Sequence, residues 1–205
     1  MTYFNREEIS KLEHLFKLNL INSCSGYKSA NLIATKSQNQ ETNVAIFSSV
    51  IHLGSKPPLL GFILRPTSAP RNTYENIMET GFFTINHIHK PILKDAHHTS
   101  AKYKKTISEF DVTNLETDYK NNFYAPFVKD CPIQIAMKYL DEYDIKTNNT
   151  KLIIGEIQGL HIKKNLLKKD GFINLPEGNI AAIIGLNGYA IPQLKERFEY
   201  QKIIQ

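Results

Sequence analysis

The first half of the sequence is dominated by short segments rich in β-branched and aromatic residues, with little chain between them. Four such segments, bounded by Gly, Pro, Asn or Ser, read SANLIATKS, TNVAIFSSVIHL, PLLGFILR and GFFTINHI. This composition and these boundary residues are typical of β-strands. Because parallel neighbours need long crossover connections, the short links predict antiparallel pairing. We therefore expect a mainly β chain with an antiparallel sheet.

A long hairpin is predicted in the second half. The segments PIQIAMKYLDEYDIK and KLIIGEIQGLHIKK are connected through the turn-forming residues TNNT. Ile133, Ile135 and Met137 alternate along the first segment and predict one apolar face. The total is at least six strands. Since a sheet loses its exposed edges when it closes on itself, we expect a small β-barrel with peripheral helices, and a β-sandwich is the alternative.

Three short helices are predicted outside the sheet. In NREEISKLEHLF, Asn5 and Glu8 have the spacing of a capping box, and the helix is expected to pack against the sheet. In NTYENIMET, we expect Asn72 to be the N-cap with Glu75 three residues later, and Gly81 to end the helix. The segment KPILKDAHHTSAKY begins with a proline suited to a first helical turn.

Composition and charge limit the classes of function. The chain of 205 residues has a formal net charge of +5, and its lysines are scattered without a block of like charge. Specific nucleic-acid binders gather basic residues on one face, so we expect no nucleic-acid partner. The two cysteines, Cys24 and Cys131, form no CxxC pair, which fits a reducing cytoplasm better than a disulfide framework or a zinc site. The apolar runs fall far short of the roughly 20 residues that span a membrane. We expect one domain over residues 1–205.

The segment RPTSAPRNTYENI places two arginines where a buried strand ends and a helix begins. The first N–H groups of a helix point outward at the positive end of its dipole. A guanidinium group can hold a phosphate with two hydrogen bonds. Arg65, Arg71 and the hydroxyl of Thr73 therefore make a candidate phosphate site. The alternative is that the segment only caps the helix, with its arginines solvated or paired with Glu75 and Glu79.

Two further segments offer small polar groups. Ser48 and Ser49 interrupt TNVAIFSSVIHL, and their small side chains would let a flat ligand approach the backbone; the alternative is an ordinary bulge or strand end. In AHHTSAKY, Thr99 and Ser100 follow two histidines. We expect no metal there, because no paired carboxylate and no HExxH or CxxC spacing accompanies the histidines. The hydroxyls suit contacts to a phosphate or a ring.

The order of these pieces resembles the flavin reductase-like family, which has an FMN-binding split β-barrel. No GxSxG, Walker or strand-linked GxGxxG motif is present. The matching pieces, over about residues 20–165, are TNVAIFSSV, KPPLLGFILR, RNTYENIMETGFFTINHI, AHHTSAKY, SEFD, APFVKDCPIQIAMKY and LIIGEIQGLHI. They include the T-x-x-N-I helix of the family at residues 73–77 and its G-x-F-x-x-N strand at residues 81–86. The tail matches more loosely through GLNGY.

The resemblance implies FMN as cofactor and NADH or NADPH as the reductant that delivers hydride to flavin N5. It also implies a homodimer with FMN near the interface, and a flavin-dependent monooxygenase or another electron acceptor as partner. No catalytic side chain is assigned, since the cofactor carries the chemistry. The residues that the resemblance assigns to the flavin site are Ser48, Ser49 and Val50 at the isoalloxazine ring, Arg65, Arg71, Thr73 and Asn76 near the ribityl phosphate, and Thr99, Ser100 and Ala101 as another wall.

Two other interpretations stay open at this point. The sequence has no separate nicotinamide-nucleotide motif, so the chain could bind FMN without catalysis or only transfer electrons. A basic nucleic-acid-binding barrel would also fit the charge and the number of strands. That third interpretation predicts a steep dependence of oligonucleotide binding on salt concentration.

Overall fold

The computed structural model describes residues 1–199, and strands dominate it. The strands are β1 (Lys28–Ser29), β2 (Asn31–Lys36), β3 (Thr42–Phe47), β4 (Ile51–Ser55), β5 (Pro58–Leu64), β6 (Phe82–His87), β7 (Thr117–Asp118), β8 (Phe127–Val128), β9 (Ile133–Ile145), β10 (Thr150–Ile162), β11 (Ala182–Ile184) and β12 (Gly188–Ala190). The α-helices are α1 (Arg6–Lys11), α2 (His14–Ser23), α3 (Asn72–Thr80) and α4 (Leu93–His98). Short 3-10 helices cover Lys90–Ile92 and Leu175–Gly178. Among the described residues, no helix combines the length and the apolar character that crossing a bilayer requires.

Seven strands form one antiparallel sheet that closes into a barrel. Their order is β3-β2-β6-β9-β10-β5-β4. The two outermost strands, β3 and β4, are consecutive in the chain and only residues 48–50 separate them. Three residues cannot span an open sheet seven strands wide, so the sheet must curl until the end of β3 lies close to the start of β4, although these two strands are not paired with each other. The expected mainly β, antiparallel barrel with short peripheral helices is confirmed.

The interior of the barrel is filled by side chains from every long strand. The buried residues of this cluster are Ile33, Phe62, Leu64, Ile77, Phe83, Ile85, Ile133, Ile135, Met137, Ile153, Leu166 and Ile180. Phe62 lies edge-on to both Phe47 and Phe83, at ring-centre distances of 5.0 and 5.7 Å. The predicted apolar face of β9 thus lies in the core.

The outward-facing side chains of the barrel are covered by other elements on one side of the molecule and exposed to solvent on the other. Alternate residues of β2 and β3, such as Leu32 and Val44, pack outward against α4 and against residues 181–191. This burial on both faces explains why β2 is buried at five consecutive positions. On the other side of the barrel, the outward residues of β4 and β9 stay exposed to solvent: Ile51, Leu53 and Tyr143 are 46, 39 and 58 % exposed. We call this surface the outer sheet face.

The β9–β10 hairpin is confirmed, whereas two other predicted elements are divided. The predicted strand TNVAIFSSVIHL is two strands, since β3 pairs with β2 and β4 pairs with β5. The predicted N-terminal helix is also two helices. Leu12 adopts an extended backbone, with φ −59° and ψ 144°, and the side chain of Glu13 then accepts a hydrogen bond from the Phe16 N–H and starts α2. The capping box of Asn5 and Glu8 is present. Neither helix contains a fully buried residue, although Ile9, Leu18 and Leu20 are half-buried, so the predicted helix adds nothing to the buried core.

Candidate functional site

The segment Ser48–Ser49–Val50 closes the barrel. The hydroxyl of Ser49 accepts a hydrogen bond from the Ile63 N–H (3.0 Å) and donates one to the Ile63 carbonyl (3.2 Å). This pair of bonds holds the segment against the end of β5. Val50 packs against the interior cluster, and its carbonyl accepts a hydrogen bond from Ser29 Oγ at 3.0 Å. All three residues of the segment are half-buried. Because Ile63 precedes Arg65 by two residues, the structure brings this segment to the region where β5 ends.

The start of α3 differs from the prediction. Arg71, with φ −133° and ψ 89°, is the residue before the helix, and Asn72 is already helical. The predicted cap by Asn72 is therefore wrong. Among residues 1–199, no side chain forms a capping hydrogen bond at this helix start. The first N–H groups of α3 consequently remain available at the positive end of its dipole. Gly81 ends the helix in the left-handed conformation, as predicted, with φ 77°.

The two arginines precede this helix start and do not pair with the acidic residues of α3. Arg71 is half-buried, and its Nε donates to the Pro66 carbonyl at 3.2 Å. Arg65 is exposed directly after β5. Glu75, which was the alternative partner of the arginines, instead forms an ion pair with Lys105. Within the described part of the chain, neither arginine forms an ion pair.

Thr73 and Asn76 attach α3 to the barrel. Both are buried, at 5 and 3 % exposure. Thr73 Oγ1 accepts a hydrogen bond from Asn43 Nδ2, and Asn76 Nδ2 donates to Thr35 Oγ1, each at 3.0 Å. Asn43 and Thr35 are themselves paired between β3 and β2. Because Thr73 Oγ1 acts as an acceptor here, its own proton is still available as a donor.

Residues 99–101 follow α4, which packs on the outward side of β3. Ala96 of α4 belongs to the same buried cluster as Val44. Thr99 is buried, and its hydroxyl donates to the Ala96 carbonyl at 2.8 Å, whereas Ser100 and Ala101 are exposed. No hydrogen bond among residues 1–199 connects these three positions with Arg65 or Arg71.

Glu109, which lies in the matching piece SEFD but was given no role from the sequence, marks the free edge of β3. Glu109 is buried, its carboxylate accepts a hydrogen bond from the Val44 N–H at 3.1 Å, and burial raises its pKa. The Val44 N–H therefore points away from β2. Since outward N–H groups recur at every second strand residue, those of Ile46 and Ser48 face the same side. The match of SEFD does not indicate what the carboxylate of Glu109 contacts, because its partner lies on a distant strand.

Thr73 and Glu109 thus place α3 and the loop after α4 beside β3, and Ser49 joins the end of β3 to β5. A shallow pocket of about 230 Å³ opens at the start of β3, lined by Thr42, Lys105 and Ser108 together with neighbouring residues. Thr73, Glu109 and Ser49 therefore lie along β3 or at its end, whereas no hydrogen bond among residues 1–199 connects Arg65, Ser100 or Ala101 to this strand. Within residues 1–199, no cluster of three His, Cys, Asp or Glu side chains could hold a metal ion.

Comparison with known proteins identifies the family to which this chain belongs. The family model described as the flavin reductase-like domain matches residues 25–175. The chain belongs to the flavin reductase-like family. A sequence comparison with curated proteins gives no match.

Solved structures share the fold of this flavin reductase-like chain. A Shewanella frigidimarina protein, named as a candidate flavin reductase with a split-barrel domain, superposes with a TM-score of 0.95 at 43 % identity; the match covers 98 % of this chain and 100 % of that protein. Component B of nitrilotriacetate monooxygenase from Bacillus cereus superposes with a TM-score of 0.80 at 19 % identity, over 98 % of each chain. An FMN-binding protein of Thermus thermophilus gives 0.70 at 14 % identity, over 85 % of this chain and 90 % of that one.

Proposed function

We propose that this flavin-related oxidoreductase uses FMN and is an NAD(P)H:flavin reductase. The observation that carries the proposal is the start of α3, whose uncapped helical N–H groups directly follow Arg71 and the connection from β5, which begins at Arg65. Such a helix start binds anions, and guanidinium groups bind phosphate with two parallel hydrogen bonds. The ribityl phosphate of FMN fits this donor set.

The residues at the phosphate end would have distinct tasks. Arg71 has its Nε engaged with the Pro66 carbonyl, which fixes the side chain and leaves its terminal nitrogens to bind a phosphate oxygen. Thr73 would donate its hydroxyl proton to the same group. Asn76, buried one turn further along, holds the helix in place through Thr35. Arg65 is more exposed and would contribute mainly charge.

The ring end would use small side chains and the backbone. Ser48, Ser49 and Val50 follow the outward edge of β3, and the outward N–H of Ser48 would serve a ring carbonyl or nitrogen. Ser49 Oγ is engaged with β5, so this residue would shape the wall rather than donate a side-chain bond. Thr99, Ser100 and Ala101 would form the other wall. When bound, FMN supplies the acceptor for hydride from NADH or NADPH, and the protein binds and orients both nucleotides.

The proposal also includes the oligomeric state, the cellular location and the electron acceptor. We infer a homodimer with FMN near the interface, because the outer sheet face is apolar and Ser49 is bonded to Ile63 of β5 beside it. Residues 1–205 would act as one domain in the cytoplasm. A flavin-dependent monooxygenase or another electron acceptor would take the reduced flavin. The Bacillus cereus neighbour, a monooxygenase component, supports that kind of partner.

A visible absorption spectrum before and after anaerobic addition of NADH or NADPH tests the proposal. We expect the purified protein, as isolated or after addition of FMN, to show the bound-flavin spectrum and then to bleach with consumption of the nicotinamide nucleotide. A protein that neither carries nor takes up FMN would contradict the proposal. Bound FMN without turnover of either nucleotide would instead favour a non-catalytic or electron-transfer protein.

A further inference from the structure

The first turn of α3 contains a carboxylate that competes with a bound anion. Glu75 is the acidic residue of this turn, and its N–H donates to the Arg71 carbonyl at 2.9 Å. Side chains four residues apart along a helix are neighbours on its surface. A carboxylate in the first turn is also attracted to the positive end of the helix dipole. Glu75 is therefore placed where its carboxylate can bind the guanidinium group of Arg71 or repel a phosphate at the helix start.

The structure pairs Glu75 with Lys105 instead. Lys105 Nζ donates to Glu75 Oε2, and the two side chains are 54 and 38 % exposed. Hydrogen bonding to Glu75 raises the pKa of Lys105, so the ammonium group stays charged. Among residues 1–199, Arg71 forms no ion pair. Lys105 thus holds the carboxylate that lies one helical turn from Arg71.

Lys105 belongs to a loop that is fastened to β3. Ser108 Oγ lies 3.0 Å from Thr42 Oγ1, and the Glu109 carboxylate accepts a hydrogen bond from the Val44 N–H. Lys105 lies three residues before Ser108 and lines the pocket at the start of β3. Helix α3 is bonded to the same strand. The loop and the helix are therefore held against one strand, and Lys105 connects them.

We propose that Lys105 is a positioning residue of the flavin site, which keeps Arg71 available to a phosphate by holding Glu75. This inference rests on the proposed function, because the phosphate is that of FMN. Lys105 acts through Glu75 and does not need to contact the ligand. An ion pair with only a structural task would leave the preference for a phosphorylated flavin unchanged.

A double-mutant cycle on the affinity for FMN tests the inference. We expect Lys105→Met to raise the Kd of the flavin-free, full-length protein for FMN about fivefold, since one exposed charge changes an equilibrium constant by a factor of roughly 2–5. In a Glu75→Gln background the same substitution should change the Kd by less than about twofold, because no carboxylate is left to neutralise. Equal changes in the two backgrounds overturn the proposal.

Riboflavin separates an effect on the phosphate from a loss of structure. Because riboflavin lacks the phosphate, Lys105→Met should change its Kd by less than about twofold. Lys105→Arg keeps a cation opposite Glu75 and should bind FMN with a Kd within about twofold of the wild type. If Lys105→Met weakens the binding of both flavins equally, the ion pair has only a structural task and the proposal is wrong.

Lys104→Met is the matched control for the loss of one positive charge. Lys104 is exposed in the same loop, and its side chain forms no ion pair within the described residues. This variant should bind FMN with a Kd close to that of the wild type. Circular dichroism and Tm should be unchanged in both methionine variants, because exposed ion pairs contribute little to stability. If Lys104→Met weakens FMN binding as much as Lys105→Met, net charge explains the effect and the proposal fails.

The wild type separates this inference from the proposed function. If the wild type binds FMN and Lys105→Met binds it as tightly, the positioning task of Lys105 is refuted and the proposed function stands. If the wild type does not bind FMN, the proposed function fails, and the inference about Lys105 fails with it.

Discussion

Single side chains at the start of α3 make structural contacts and keep further polar groups that no described residue uses. Thr73 is buried and accepts a hydrogen bond from Asn43, yet its proton is still available to a ligand. Arg71 is anchored by the Pro66 carbonyl and keeps its terminal nitrogens for other partners. Substitutions here therefore need readouts that separate stability from binding.

Arg71→Ala should weaken FMN binding by about 10- to 100-fold. A hydrogen bond to a charged group contributes about 1.5–3 kcal/mol, and each 1.4 kcal/mol is a factor of ten in Kd. Titration of the apoprotein with FMN, followed by flavin fluorescence, measures the change. Arg71→Lys keeps the charge but loses the paired hydrogen bonds of a guanidinium group. Its Kd for FMN should lie between those of the wild type and Arg71→Ala. An unchanged Kd in Arg71→Ala would remove this residue from the site.

His87 should make the fold sensitive to mild acid. Desolvation lowers its pKa from 6.5 to about 4. The unfolded chain takes up the proton near pH 6.5, whereas the folded protein does so only near pH 4. The contribution of neutral His87 to stability is therefore complete above pH 6.5 and is lost progressively between pH 6.5 and about 4. Urea unfolding at pH 7 and pH 4.5 should show a smaller loss of stability for His87→Gln than for the wild type. Equal losses of stability in the variant and the wild type would contradict the lowered pKa of His87.

At the scale of elements, β10 contains two glycines in very different surroundings. A Cβ on Gly155 would lie 2.7 Å from Phe83 Cζ and 3.0 Å from Met137 Cε, both inside the packed barrel. A Cβ on Gly159 would meet only Ala136 Cβ, at an ordinary 3.9 Å. Gly155 therefore allows β10 to pass close to the core side chains of its neighbours.

Gly155→Ala should destabilise the protein by about 1–3 kcal/mol, the usual cost of overpacking a core. Gly159→Ala is the matched control and should change the free energy of unfolding by less than about 1 kcal/mol. Guanidinium unfolding of both variants provides the comparison. If the two substitutions had equal effects, the close contact at Gly155 would not limit stability.

The strands could be predicted from the sequence. The features that depend on contacts between distant residues could not. The alternation in β9 predicted the buried face with Ile133 and Met137, because a strand period depends only on local geometry. Asn72 was mispredicted as a cap because the bonds of Thr73 and Asn76 to the barrel fix where α3 begins. The change of partner between β3 and β4 follows from barrel closure, which no local pattern records. Glu109 lies in the matching piece SEFD, but its contact with Val44, 65 residues away, was not predicted for the same reason.

At the scale of the whole molecule, the phosphate group should determine how strongly FMN raises the thermal stability of the protein. A ligand at 100 times its Kd adds about 2.7 kcal/mol to folding, which corresponds to roughly 5–10 °C in Tm for a chain of this size. Differential scanning calorimetry with FMN should show this shift. Riboflavin, which lacks the phosphate, should give a much smaller shift at the same concentration. Equal shifts from both flavins would show that the α3 start does not bind the phosphate.

Residues 48–50, which join the two outermost strands of the sheet, have a consequence for how the protein is assembled. Because three residues cannot connect the two outermost strands of an open ribbon, the seven strands can all pair only when the sheet has curled into its barrel. The same segment is the candidate wall for the flavin ring. A chain whose sheet has not curled would have no place for the isoalloxazine, so acquisition of yellow colour would mark the chains that have closed their barrel.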